Sequence, residues 1–136
     1  SFDEKVFLDG AGAAFEIILG AFAKGDKHQL RGLLDDITYQ SFLKEIERRE
    51  AAGERLETTL VTMIRTDITE AKMVGASAQV TVKIVSEQVK VTYNEADEVV
   101  AGDASHAATI NDVWTFARDT RSKDPNWQLI ETRAVD

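Results

Sequence analysis

The apolar positions of this chain change period once. From Asp3 to Lys24, residues Phe7, Leu8, Ala11, Ala14, Phe15, Ile18, Ala21 and Phe22 recur at the spacing of one helical face. Asp3 and Glu4 favour the start of this helix and Gly25 its end. Gly10, Gly12 and Gly20 lie inside it, each forfeiting about 1 kcal/mol of helix propensity. Such glycines imply that another group approaches the backbone closely or that a cavity is left beside it. Asp26 and Gln29 have the spacing of a capping box, opening a short second helix that buries Leu30, Leu33 and Leu34. Asp35 or Asp36 caps a third. Its apolar stripe is Tyr39, Phe42, Leu43 and Ile46, its outer face carries opposite charges from Lys44 to Glu50, and Gly53 ends it.

From Leu56 onward the period is two. Leu56, Thr58, Leu60, Thr62 and Ile64 alternate with Glu57, Thr59, Val61, Met63 and Arg65, a second segment runs from Ile68 to Val74, and Gly75 turns the chain into a long strand from Ala78 to about Tyr93. Apolar residues on that strand are even-numbered up to Ile84 and odd-numbered from Val89. One extra residue between Val85 and Gln88, a β-bulge, would correct the face and bend the strand. Asn94 to Ser105 predicts a polar hairpin loop with little order. Ile110 to Thr132 predicts a hairpin: Ile110, Trp114 and Phe116 share one face, Val113, Thr115 and Ala117 the other, and Trp127 and Leu129 resume the alternation. Pro125 suits the intervening loop and would break a sheet interior. Three helices followed by about five antiparallel strands predict an α+β fold, with the helices packed on a curved, bulged sheet. The boundaries are helices at about 3–53 and sheet at about 56–134, in a single domain spanning 1–136.

The hairpin residues VWTFARDTRS and DPNWQL, with the leading FDEKVFLDGAGAAF helix, resemble the C-terminal domain of the mitochondrial inner-membrane translocase's import-motor tether, the forty-four subunit, and its bacterial relatives. The order of elements agrees along the whole chain. The resemblance implies a cone-shaped fold of the nuclear-transport-factor-two type with an apolar pocket between helices and sheet. It also implies a non-catalytic, membrane-associated scaffold that binds a protein partner or an unfolded precursor polypeptide, and lipid. The compact chain suggests a bacterial member at the inner membrane; a mitochondrial one would face the matrix.

Composition narrows the classes. Sixteen basic against twenty-four acidic side chains give a formal charge of −8, which opposes nucleic acid and anionic lipid unless the basic residues cluster. There is no cysteine, so disulfides and thiolate metal sites are excluded. Ala11 to Ala23 is cut by Glu16 and falls short of the roughly 20 residues of a membrane span, so the chain reads as soluble. Its first residue is serine, which leaves room for an anchoring segment upstream.

Candidate chemistry falls in three places. Phe15, Phe22, Tyr39, Phe42, Trp114, Phe116 and Trp127 are candidate pocket residues for an acyl chain or an apolar peptide segment, and as core packing they need no ligand. Arg118, Arg121 and Lys123, with Arg133 beyond, are candidate docking residues for an anion; the plainer expectation pairs Arg118 with Glu131 across the hairpin. Asp112 shares a strand face with Trp114. In an enzyme of this fold, an isomerase or dehydratase, it would act as a base together with Tyr39 or His106. His106 lies six residues from Asp112, about 20 Å along a strand, too far to pair. No cofactor is expected, and His28 and His106 lack the spacing of a metal site. A homodimer through Val113, Thr115 and Ala117 is a third reading.

Overall fold

The Asp3 carboxylate opens the fold by accepting the Val6 N–H at 3.2 Å, which caps α1 (Glu4–Lys24). The structure, a computed structural model, describes residues 2–135. Gly25 ends α1 in the left-handed region at φ 71°, where a side chain would be strained, and the Asp26 N–H returns to the Ala21 carbonyl at 2.9 Å. Asp26 then caps α2 (Lys27–Leu33), accepting from the Gln29 N–H as the capping spacing predicts. Of the two aspartates before α3 (Asp36–Ala52), Asp35 is the cap, 2.9 Å from the Thr38 N–H.

The five strands are β1 (Arg55–Val74), β2 (Ser77–Tyr93), β3 (Val99–Gly102), β4 (Ala108–Asp119) and β5 (Gln128–Val135). All pairings are antiparallel in the order β1-β2-β4-β5, with β3 beside the last residues of β2. The two segments read separately between Leu56 and Val74 are therefore one strand, and the loop expected from Asn94 to Ser105 contains β3. The fold is α+β, three helices followed by a curved antiparallel sheet. The helices lie on one face. Phe7, Ala11, Phe15, Ile18 and Ala21 of α1 are buried with Val80, Val82 and Ile84 of β2, Trp114 and Phe116 of β4, and Leu129 of β5. Leu30, Leu34 and Ile46 close this core.

The extra residue expected in β2 is found in β1 instead. β2 pairs with β4 without a break from Ser77↔Asp119 to Gln88↔Ala108. Against β1 the register slips at Leu60/Thr62, Met63/Arg65 and Ile68/Glu70, leaving Val61, Ile64 and Thr69 unopposed. The even face of β2 simply continues inward as polar residues. Ser86 and Gln88 are 0% and 1% exposed, and the Gln88 Nε2 donates to the Ser86 Oγ at 2.9 Å. Their mutual hydrogen bond lets polar side chains occupy the inner face, so the strand need not rotate. The inserted residues of β1 raise its twist and bend the sheet around α1.

Candidate binding groove

α1 carries a second apolar stripe on the side turned away from the sheet. Val6, Gly10, Ala13 and Ile17 follow one another at four, three and four residues, and Val6 and Ile17 are 66% and 44% exposed. This stripe forms one side of a groove of about 970 Å³. Phe7, Ala11, Ala14 and Phe116 contribute its base, and Gly32 and Leu33 of α2 and Trp127 complete its walls. A Cβ added at Gly10 or Gly32 would meet nothing within 4 Å, so the glycines leave open space rather than admit a neighbour. Phe7 holds the aromatic end together, edge-on to Trp127 at 5.0 Å and to Phe116 at 6.1 Å between ring centroids.

Polar groups enter the groove chiefly at that aromatic end, from Asp3 and from the β4–β5 connection. The two carboxylates are already engaged: Asp3 caps α1, and Asp124 accepts the Asn126 N–H at 2.9 Å. Arg118 differs. Its guanidinium stands 5.7 Å over the Trp127 ring, and its buried Nε has no partner among the described residues. The pairing expected with Glu131 does not form. An extra residue at Ile130 in β5 sets Glu131 opposite Thr115, on the other face of the sheet and three positions away. Arg121 is tied to Asp119 at 3.2 Å, Lys123 lies exposed in the loop, and Arg133 faces the other side opposite Val113. Of the basic group, only Arg118 reaches the groove.

The aromatic residues singled out from sequence divide in the same way. Phe116 and Trp127 line the groove. Phe15 and Trp114 meet at 4.6 Å between ring centroids, tilted by 54°, and are buried between α1 and the sheet. Phe22 and Phe42 meet edge to face at 5.2 Å under the Arg49 guanidinium, and Tyr39 lies under Arg31. These five stand away from the groove. Sequence reasoning passed over Val6, Ala13 and Ile17, and reached Gly10 only as a sign of a close approach or a cavity beside the helix. The available signal was a helix apolar on two faces, with glycine where a core helix would use alanine.

Asp112 lies on the helix side of the sheet, opposite Ile84, half-buried and without a hydrogen-bond partner among the described residues. Desolvation raises its proton affinity above the ordinary carboxylate range, and the Lys90 charge opposes that shift. It lines neither this groove nor the smaller polar hollow on the opposite sheet face. His106 is exposed and bonded to Asp103 and Ser105, and His28 is exposed. Among the described residues no group of three or more His, Asp or Glu side chains is placed to hold a metal. Val113 and Thr115 are buried and Ala117 half-buried, so the outer hairpin face is not the exposed patch its composition suggested.

A family model described as the Tim44-like domain matches residues 1–134. The chain belongs to that family. Membership makes it a translocase-related domain of a membrane-associated family, and that family's non-catalytic character weighs against an enzyme. No curated protein matches the sequence significantly. A crystal structure of the intermembrane-space region of the chloroplast protein ARC6 aligns with a TM-score of 0.67, over 99% of this chain and 98% of that one, at 14% identity. That likeness is one of fold. Within the Tim44-like fold, α1 is long and apolar enough to cross a membrane by length and composition, although the part between Ala11 and Ala23 had read as too short. A helix with two apolar faces satisfies that test while one of those faces is docked on the sheet.

Proposed function

We propose that this Tim44-like domain is a non-catalytic holding module at the inner membrane, seating an apolar segment of a protein partner or a lipid acyl chain along α1. The observation that carries the reading is the exposed Val6–Gly10–Ala13–Ile17 stripe beside an unfilled groove. Burial of such a surface is what binding would gain. The partners are components or clients of a protein-translocation machinery, and the attachment is to the membrane that houses it.

A photo-crosslinking amino acid at Ile17, in a membrane fraction, tests this. The expected adduct is with a protein partner or a lipid, and filling the groove by Gly10→Leu suppresses it. Equal adduct yield from Ile37, which is 78% exposed and outside the groove, would defeat the proposal. One observation favours a second reading, a small-molecule isomerase or dehydratase: Asp112 is half-buried, unpartnered and proton-hungry, as a general base would be. Any turnover by the purified domain that is lost in Asp112→Asn would establish that reading.

A further inference from the structure

We infer that β5 pairs with the β5 of a second copy of this chain, antiparallel about a two-fold axis through Thr132, so that Glu131 of each copy meets the partner's Arg133. The pairing does not depend on the groove or on what fills it. Three observations carry it.

The first is a free strand edge. β5 has a neighbour, β4, on one side only. On its other side the chain covers just the beginning, where the Asp35 N–H donates to the Leu129 carbonyl at 3.1 Å in a single bridge between Leu34 and Leu129. No other backbone hydrogen bond reaches that side among the described residues. From Glu131 to Ala134 the strand is exposed, and past the extra residue at Ile130 it keeps unbroken register with β4, from Glu131↔Thr115 to Val135↔Asn111. A regular, uncovered edge accepts another strand. The second is charge. Glu131 and Arg133 stand two residues apart on one face, opposite Thr115 and Val113. Neither belongs to an ion pair among the described residues, and Glu70 and Lys72, which share their polar hollow, are already joined to each other at 3.3 Å. The third is register. About a two-fold axis, residues that face each other lie equally far from the residue on the axis, and an axis between two residues would oppose side chains from different faces. Centred on Glu131 or on Arg133, the pairing sets like charges face to face; centred on Ala134, it leaves both glutamates without a counter-charge. Centred on Thr132, it sets Glu131 against the partner's Arg133 twice and threonine against threonine, both favourable cross-strand pairs. A foreign strand would have to carry those charges in the matching order, whereas a second copy carries them by symmetry.

Sedimentation equilibrium of the purified domain, with hydrogen exchange read over the same concentrations, tests the inference. Wild type is expected to form a dimer, and exchange at Glu131 to Ala134 is expected to slow as it forms. Glu131→Arg alone and Arg133→Glu alone each put like charges at both contacts, and each should weaken the dimer about tenfold or more. Mixed in equal amounts, the two variants should recover wild-type affinity as a heterodimer, because each supplies the charge the other lacks. The double variant Glu131→Arg with Arg133→Glu should recover it too. Recovery on mixing needs both variants folded, so it separates lost pairing from lost folding. A wild type that stays monomeric at every concentration overturns the inference. So does a dimer indifferent to both single variants, or one whose loss mixing does not repair, since either places the contact elsewhere. A monomer in which an added extended peptide slows exchange at Glu131 to Ala134 would keep the free edge and overturn the second copy as its occupant. Gly10→Leu, which fills the groove, should leave the dimer unchanged, so this inference and the holding-module reading fail separately.

Discussion

At the scale of single residues, the positions that sequence patterning handled worst are the polar ones facing inward. Ser86 and Gln88 interrupt an apolar face, and alternation alone reads them as outward residues requiring a bulge. They are buried and bonded to each other, while the Gln88 Oε1 remains without a partner among the described residues. Removing one member leaves the other stranded, so Ser86→Ala should lower the unfolding free energy by about 1–3 kcal/mol. The double variant Ser86→Ala with Gln88→Met should recover most of that loss, as measured by urea denaturation. Asp112 gives a second prediction. Burial raises its folded-state pKa above the unfolded value, so between the two the folded protein binds more protons. Its charged form therefore destabilises the fold above the raised pKa, and the penalty disappears as pH falls through the raised value toward the unfolded one. Asp112→Asn should raise the denaturation midpoint at pH 7 and remove this part of the pH slope. A midpoint that falls instead would show that the charged carboxylate is stabilising.

At the scale of elements, caps and periods were legible and pairings were not. Asp3, Asp26, Asp35, Gly25 and Gly53 mark helix ends in the sequence and do so in the structure, because capping is a local transaction between a side chain and amides a few residues on. The three slips of β1 leave no local mark. They exist only relative to β2, and the polar break at Arg65–Thr66–Asp67 reads as a gap between strands when the strand in fact runs through. β3 was missed for a related reason: four exposed residues between turns carry no buried face to betray them. Its attachment depends on Gly102, which sits at φ 82° where an added Cβ would overlap the Lys90 carbonyl. Gly102→Ala should cost about 1–3 kcal/mol and free β3. Hydrogen exchange should then accelerate at Val99 to Gly102 while β4 keeps its protection.

For the whole molecule, one helix serves two surfaces. The sheet-facing side of α1 holds the core together: Phe15 is fully buried against Trp114, and Phe15→Ala should cost about 3–5 kcal/mol in a denaturant melt. Its groove-facing side makes no comparable contribution, so Gly10→Leu should leave stability unchanged or slightly improved, since leucine favours the helix and nothing stands in its way. The order of helices and strands, and the sheet-facing stripe, were readable because burial on one side imposes a period. The groove was only half readable. The glycines hinted at empty space, but which aromatic residues border it depends on how the β4–β5 connection folds back toward α1. Likewise Glu131 is turned away from Arg118 by an insertion at Ile130 that no local pattern announces.

The crooked outer strand has a further consequence for the open border of the sheet. A straight, bare border would offer passing chains an even row of amides and carbonyls, inviting them to zip on and stay. With Val61, Ile64 and Thr69 each throwing the rhythm off, that border gives a visitor no long run to match. The domain can stand beside extended chains without becoming the seed on which they solidify.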